Sequence, residues 1–159
     1  MEILRKLVPF HPPTEDMKTI YILYIRSILE QSCTIWHSSL TQEDSIALER
    51  VQKNAFRNIL QERYISYENA LKLLSMETLH KRREQLLLKF ALKCTQLKET
   101  KELFPLNLTQ NSMKTRHTEK YVVYHAHTER LKNSTVPYLQ KILNEYENSK
   151  LSKDSPVYC

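Results

Sequence analysis

Residues 41–60 read TQEDSIALERVQKNAFRNIL, and this stretch carries the clearest helix signal in the chain. Thr41 with Asp44 three residues later is a variant of the capping box that begins many helices. On a helix over residues 42–61, five apolar side chains share one broad face: Leu48, Val51, Ala55, Phe56 and Ile59. The opposite face carries three cations: Arg50, Lys53 and Arg57. One face should therefore belong to the core, and the other should be basic.

A second helix is predicted upstream, over residues 15–31. A pair of prolines precedes Thr14, whose hydroxyl would cap the helix, and Glu15 and Asp16 would oppose the positive end of its dipole. Apolar residues cover most of its surface, so we expect it to be the central buried helix.

Downstream, Ser66 would cap a short helix over residues 67–74, and a break at Ser75 or Met76 precedes the longest predicted helix, over residues 77–101. The main apolar face of this long helix contains six residues: Leu79, Leu86, Leu87, Phe90, Cys94 and Leu97. A basic flank contains three more: Arg82, Lys89 and Lys93.

The character of the chain changes at Pro105. Residues 106–120 are polar and lack periodicity, which predicts a loop, and residues 121–127 alternate weakly, as an extended segment would. Pro137 would open a short helix that ends near Tyr146, before a frayed tail. The sequence thus predicts an all-α fold: a small bundle of three to four core helices over residues 1–104, followed over residues 105–159 by a loosely packed C-terminal extension.

Composition excludes several classes of function. The chain of 159 residues contains no glycine, so it cannot form the glycine-rich loops that cradle nucleotide phosphates, and we expect no cofactor. Its formal net charge of +6 suits an anionic partner, or serves solubility alone. Three widely spaced cysteines favour a reducing compartment. Because the chain has neither a signal peptide nor an apolar run of membrane-spanning length, we expect an intracellular protein, cytoplasmic or nuclear, and not a secreted one.

The side chains that chemistry would need are also missing. The three aspartates, Asp16, Asp44 and Asp154, are too far apart in sequence to suggest a two-metal site, and Asp44 fits dipole compensation at a helix start. His125 and His127 could project to one side of a strand, but no further ligand lies at ligand spacing. Cys94 is better explained as a core residue than as a nucleophile. We therefore predict no catalytic and no metal-binding residue.

The six cations on the two helices are the one positive signal for function: Arg50, Lys53, Arg57, Arg82, Lys89 and Lys93. From charge pattern alone they fit a surface for nucleic-acid phosphates and an ordinary solvated face about equally well.

Read as a string, the chain resembles a known family. YIRSILE at 24–30, WHSSLT at 36–41 and LERVQK at 48–53 are similar, in order and spacing, to blocks downstream of the polymerase palm in LINE-type (non-LTR, jockey-like) retrotransposon reverse transcriptases. The similarity continues through four later blocks: YISYENAL at 64–71, RRE at 82–84, LFPL at 103–106 and HTERLKNS at 127–134.

The resemblance implies that this region is the helical thumb of such a polymerase with its C-terminal extension. The fingers and palm are missing, and so are the paired aspartates of the palm and the cysteine–histidine knuckle of some members, so no enzymatic activity is implied. What it does imply is sequence-independent binding of RNA or an RNA–DNA hybrid in a template–primer duplex, with the six cations as candidate contacts.

Two alternatives stay open: a helical scaffold that binds protein, and an inert remnant with no function. Met1 lies just before the resemblance begins, which suggests a truncated reading frame from a genomic copy of an element. The oligomeric state is left undetermined by the sequence.

Overall fold

The computed structural model describes residues 2–107 and 120–153, with side chains as far as residue 150. Every regular element in this part of the chain is helical, and the only β-type pairing is an isolated antiparallel bridge between Leu106 and Tyr121. The predicted all-α fold is thus confirmed. No helix in the described part is long and apolar enough to cross a membrane.

The chain forms two compact units. The first unit comprises Met1–Cys33 and Leu40–Glu84, and the second comprises Thr34–Ser39 and Gln85–Cys159. The boundary predicted between residues 104 and 105 lies inside the second unit, where Phe104 is buried in one cluster with residues from both sides of it.

The helices follow the chain in this order: α1 (Glu2–Leu7), α2 (Thr14–Ile20), a π-helical stretch (Tyr21–Arg26), α3 (Ser27–Glu30), α4 (Cys33–Trp36), α5 (Gln42–Leu60), α6 (Tyr67–Leu73), α7 (Leu79–Gln96), α8 (Lys98–Lys101), α9 (Glu129–Lys132) and α10 (Thr135–Lys153). Three single 3₁₀ turns complete the described structure: Val8–Phe10, His37–Ser39 and Gln61–Arg63.

The core of the first unit is built around α5. Its residues Ala55, Phe56 and Ile59 are buried, and the Phe56 ring meets the Tyr21 ring edge to face at 5.6 Å. The predicted capping box is present, because the Asp44 N–H donates to Thr41 Oγ1 and the Thr41 N–H donates to the Asp44 carboxylate. The core face and the start of this helix are confirmed.

The prediction for residues 15–31 was wrong in two respects. Thr14 is the first helical residue and not the cap, which is Pro13. Only Met17 and Tyr21 are fully buried, whereas Leu23, Tyr24 and Ile28 are 60%, 60% and 67% exposed. The wide π-helical turns change the angular spacing of the side chains, and the helix buries only one side of itself.

The long helix α7 is shorter than predicted, because Leu97 adopts an extended conformation after Gln96. Its buried residues follow one line: Leu79, Arg83, Leu87, Ala91 and Cys94. Phe90 and Leu97, predicted on the core face, are 40% and 43% exposed. The buried face of α7 is therefore a narrow stripe and not the broad apolar face that was predicted, and the stripe contains one arginine, Arg83.

The second unit buries an extended segment against α10. Tyr121 lies in a cluster with Leu87, Phe104, Leu139 and Leu143. Asn144 of α10 bonds the Tyr121 backbone twice, accepting from its N–H and donating to its carbonyl at 2.9 Å each. Gln140, one turn earlier, accepts from the Tyr124 N–H at 3.1 Å and donates to the Leu103 carbonyl at 2.7 Å.

Pro137 does lie in the first turn of α10, as expected. The helix continues to Lys153, so the predicted fraying from residue 147 was wrong for residues 147–153. Residues 154–159, and most of the loop predicted over residues 106–120, lie outside the described residues.

Within the described residues, four turns take a positive φ, although the chain has no glycine. They are at His11, Ser32, Gln61 and Ser75, each next to a helix end and each in the first unit. The Ser75 turn is the predicted break before α7. Positive φ is disfavoured for residues with a Cβ, so the packing of the adjoining helices must hold these turns in place.

Candidate nucleic-acid interface

The exposed face of α5 carries three of the six predicted cations. Arg50, Lys53 and Arg57 are all exposed, and their positions span about 10 Å along the helix axis. Within the described chain, no carboxylate oxygen lies within ion-pair distance of any of the three. The structure thus brings these cations together and leaves their charge available.

Two tyrosine rings support this face. The Lys53 ammonium lies 5.8 Å from the centre of the Tyr67 ring, and the Arg57 guanidinium lies 5.4 Å from the centre of the Tyr64 ring. Such cation–π contacts restrict the side chains without neutralising them. We call Arg50, Lys53 and Arg57 with Tyr64 and Tyr67 the α5 ledge.

The positive charge of the ledge also affects a nearby acid, Glu68. Hydrogen bonds from the Glu68 N–H and the Ser66 side chain lower the pKa of the exposed Glu68 carboxyl, and Lys53 lowers it further. Glu68 is not in ion-pair contact with Lys53, so the ledge keeps its positive charge.

Tyr67 also connects the ledge to a buried polar network. Its hydroxyl donates to the Glu49 carboxylate at 2.6 Å and accepts from the Gln52 amide at 2.8 Å. Gln52, fully buried, in turn accepts from the Tyr21 hydroxyl at 2.7 Å. Burial raises the pKa of both tyrosines, and Glu49 raises that of Tyr67 further, so both remain neutral donors.

The same carboxylate reaches the first turn of α7, because Glu49 accepts from the His80 N–H at 2.7 Å. The network therefore joins α5, α6 and α7 in the first unit, and it fixes the Tyr67 ring beneath Lys53.

Arg82, a further candidate, differs from the ledge residues. Its Nε lies 2.7 Å from Glu30 Oε1, and the same oxygen lies 3.6 Å from Arg26 Nε. Two guanidinium groups thus share one largely buried carboxylate. This pairing makes Arg82 a less available phosphate contact than Arg50 or Arg57.

Arg83, the next residue, is fully buried, and sequence reasoning missed it. Burial lowers the pKa of its guanidinium, while the carboxylates of Glu49 and Glu30 act in the opposite direction. The signal was present in the spacing, since Arg83 lies four residues from both Leu79 and Leu87, on the buried line of α7.

Lys89 and Lys93 belong to the second unit, one turn apart on α7. Both are exposed, and no described carboxylate is within ion-pair distance of either. They form a separate basic pair beside the partly exposed Phe90.

The structure also locates the side chains considered for chemistry, except Asp154, which lies outside the described residues. Among the described residues, no three His, Cys, Asp or Glu side chains are grouped as a metal ion would require. Cys94 is buried, as expected for a core residue. His125 and His127 are exposed, with ring centres 4.9 Å apart and planes nearly perpendicular.

Comparison with protein-family models, with curated proteins and with solved structures gives no match. The case for function therefore rests on the residues and their geometry.

Proposed function

We propose that this chain is a non-catalytic, thumb-like part of a LINE-type reverse transcriptase, and that it binds the phosphate backbone of a template–primer duplex without reading its sequence. The α5 ledge is the observation that carries the proposal. It offers three exposed cations on one face, two of them held over tyrosine rings and none of them paired with a described carboxylate.

The geometry favours phosphate contact over base recognition. Cations that line one exposed helix face suit a row of phosphate groups, and phosphate contacts position a protein without carrying sequence information. The rings of Tyr64 and Tyr67 lie beneath cations, which leaves those ring faces unavailable for stacking on bases. The proposal that the duplex is a template–primer duplex also draws on the resemblance of the sequence to the polymerase family.

A salt titration of binding to an RNA–DNA hybrid duplex tests the proposal. If the three ledge cations each displace counterions, the slope of log affinity against log salt is about −2.7, on the scale known for duplex DNA. Replacing Arg50, Lys53 and Arg57 together by glutamate should lower affinity at low salt at least about tenfold and flatten the slope.

The matched control replaces Lys72, Lys98 and Lys101 by glutamate. These residues are also exposed, and the change in net charge is the same. The control should retain most of the affinity. Equal losses in the two variants would mean that net charge alone drives binding, and absence of binding by the native chain would refute the proposal outright.

A second candidate function, a scaffold that binds protein, is favoured by a different surface. Leu23, Tyr24 and Ile28 are at least 60% exposed on neighbouring turns of the π-helical stretch and α3. Apolar side chains grouped in this way are typical of protein contacts. Replacement of all three by serine should abolish association with a palm-containing polymerase fragment, while hybrid binding by the ledge should be unchanged.

A further inference from the structure

The extended segment of the second unit presents two histidine rings on a backbone that is held by α10 on their N-terminal side. On one side, Gln140 accepts from the Tyr124 N–H at 3.1 Å. On the other, Thr128 caps α9, and its hydroxyl accepts from the Leu131 N–H at 3.3 Å. His125 and His127 lie between the Tyr124 anchor and this cap, exposed, with ring centres 4.9 Å apart.

The side chains of α10 that hold the segment are themselves buried. Gln140 is fully buried and Asn144 is 5% exposed, and together they bond the backbone at Tyr121 and Tyr124. A solvent-facing loop would usually leave two histidines free to sample many arrangements. Here the backbone just before them is held by buried side chains, so part of the entropy of ordering the rings is already lost before any ligand arrives.

The charges nearby favour an anionic ligand. Arg130 is exposed, and no carboxylate in the described ranges lies within ion-pair distance of it. Between residues 120 and 132 the chain carries Lys120, Arg130 and Lys132 against one acid, Glu129. Lys120 and Lys132 are paired with Glu147 and Glu129, which leaves Arg130 as the cation most available to a phosphate.

We propose that His125 and His127, with Arg130 beside them in sequence, form a stacking site for single-stranded nucleic acid in the second unit. Planar rings bind unpaired bases through their faces and tolerate any sequence, while a neighbouring cation holds the backbone. The bases within a duplex cover each other's faces, so a hybrid duplex does not use this site. The ligand class therefore differs from that of the α5 ledge.

The test measures binding of fluorescein-labelled oligo(U) and oligo(dT) of fifteen nucleotides to the full chain. Replacing His125 and His127 by asparagine removes the rings but keeps polar side chains, and should weaken binding at least about tenfold. The same change at His11 and His80, two exposed histidines in the first unit, is the matched control and should have little effect.

A rescue variant separates stacking from other roles of imidazole. Tyrosine at both positions keeps two planar rings, so it should restore the affinity lost in the asparagine variant. Failure of this rescue, loss of binding in EDTA, or equal binding by the native chain and the asparagine variant would each overturn the proposal.

Failure of this proposal can be distinguished from failure of the proposal for the α5 ledge. Glutamate at Arg50, Lys53 and Arg57 should remove hybrid-duplex binding and leave single-strand binding largely intact, and the asparagine variant should do the reverse. If the ledge variant alone loses both ligands, single strands bind the ledge and the stacking site is refuted, although the proposed function survives.

Discussion

Both units of the molecule contain buried amide side chains, but these amides have different kinds of hydrogen-bond partner. In the first unit, Gln52 accepts from Tyr21, and it donates to Tyr67 and to the Glu77 carbonyl at 3.0 Å. In the second unit, Asn144 and Gln140 bond mainly to the backbone of a segment that is not helical.

This difference shows two ways of satisfying buried polar groups in an all-helical chain. Gln52 joins two tyrosine hydroxyls and one backbone carbonyl from different parts of the first unit, so it adds specificity to a core that apolar packing defines. Asn144 satisfies the N–H and the carbonyl of Tyr121, which the bridge to Leu106 leaves unpaired, so the burial of Tyr121 depends on it directly. The second arrangement should be the more sensitive to loss of its amide.

The largest effect is expected for Asn144→Leu. The change leaves the buried N–H and carbonyl of Tyr121 without these bonds, which should lower the free energy of unfolding by about 2–4 kcal/mol. Chemical denaturation measures the loss, and hydrogen exchange should show it in α10. Asn54→Leu, at an exposed position of α5, is the control and should change stability by no more than about 0.5 kcal/mol.

Gln52→Leu should cost less, about 1–3 kcal/mol. Tyr67 loses the Gln52 donor but retains its bond to Glu49, and the other groups that lose a partner are the Tyr21 hydroxyl and the Glu77 carbonyl. The same denaturation experiment gives the ranking. A larger loss for Gln52→Leu than for Asn144→Leu would contradict the comparison between the two units.

Alkaline pH should weaken the network of the first unit. The pKa values of Tyr21 and Tyr67 are raised in the folded protein, so their contribution is complete below about pH 10, where unfolded tyrosine is neutral, and is lost as the pH rises further. Between pH 10 and 11 the unfolding free energy should fall by up to about 1.4 kcal/mol per tyrosine. Tyr67→Phe should reduce this pH dependence, and a slope that Tyr67→Phe leaves unchanged would place the sensitivity elsewhere.

The smallest predicted effect is a gain in the free energy of unfolding. Gln61 has φ 49° and ψ −119°, a conformation that glycine adopts readily and residues with a Cβ do not. Gln61→Gly should therefore stabilise the protein by about 0.5–1 kcal/mol. Ala47→Gly, within α5, should destabilise it by about 1 kcal/mol, since there the helical conformation already suits alanine. Equal shifts in denaturation midpoint for the two would show that the turn at Gln61 is unstrained.

Much of the fold could be predicted wherever a local signal decides it. The cap at Thr41 and the buried face around Phe56 follow from residues within a few positions of each other. The exposure of Leu23 and Ile28 could not be predicted in that way, because it depends on the π-helical turns and on how few elements cover that side. Weak alternation predicted an extended segment over residues 121–127, but its hydrogen-bond partners could not be predicted, since they are amides about 20 positions later.

The same distinction, between features set by nearby residues and features set by distant ones, applies to the candidate site. The exposure of Arg50, Lys53 and Arg57 follows from helical spacing, and the structure confirms it. Arg82 and Glu30 are 52 positions apart, so no local sequence pattern predicts that they pair. Tyr64 was missed as a support for Arg57 because it lies beyond the positive φ at Gln61, where the helical repeat of α5 has ended.

The two thiols in the described part of the chain are both buried, and this has a practical consequence. Cys33 belongs to the first unit and is 2% exposed, and Cys94 belongs to the second and is 6% exposed. A thiol reagent can modify either one only after its surroundings open, and burial also raises the pKa of Cys33, which suppresses the reactive thiolate. The labelling rates of these two side chains, read separately by mass spectrometry, would therefore time the opening of each unit in the native sequence, with no engineered reporter.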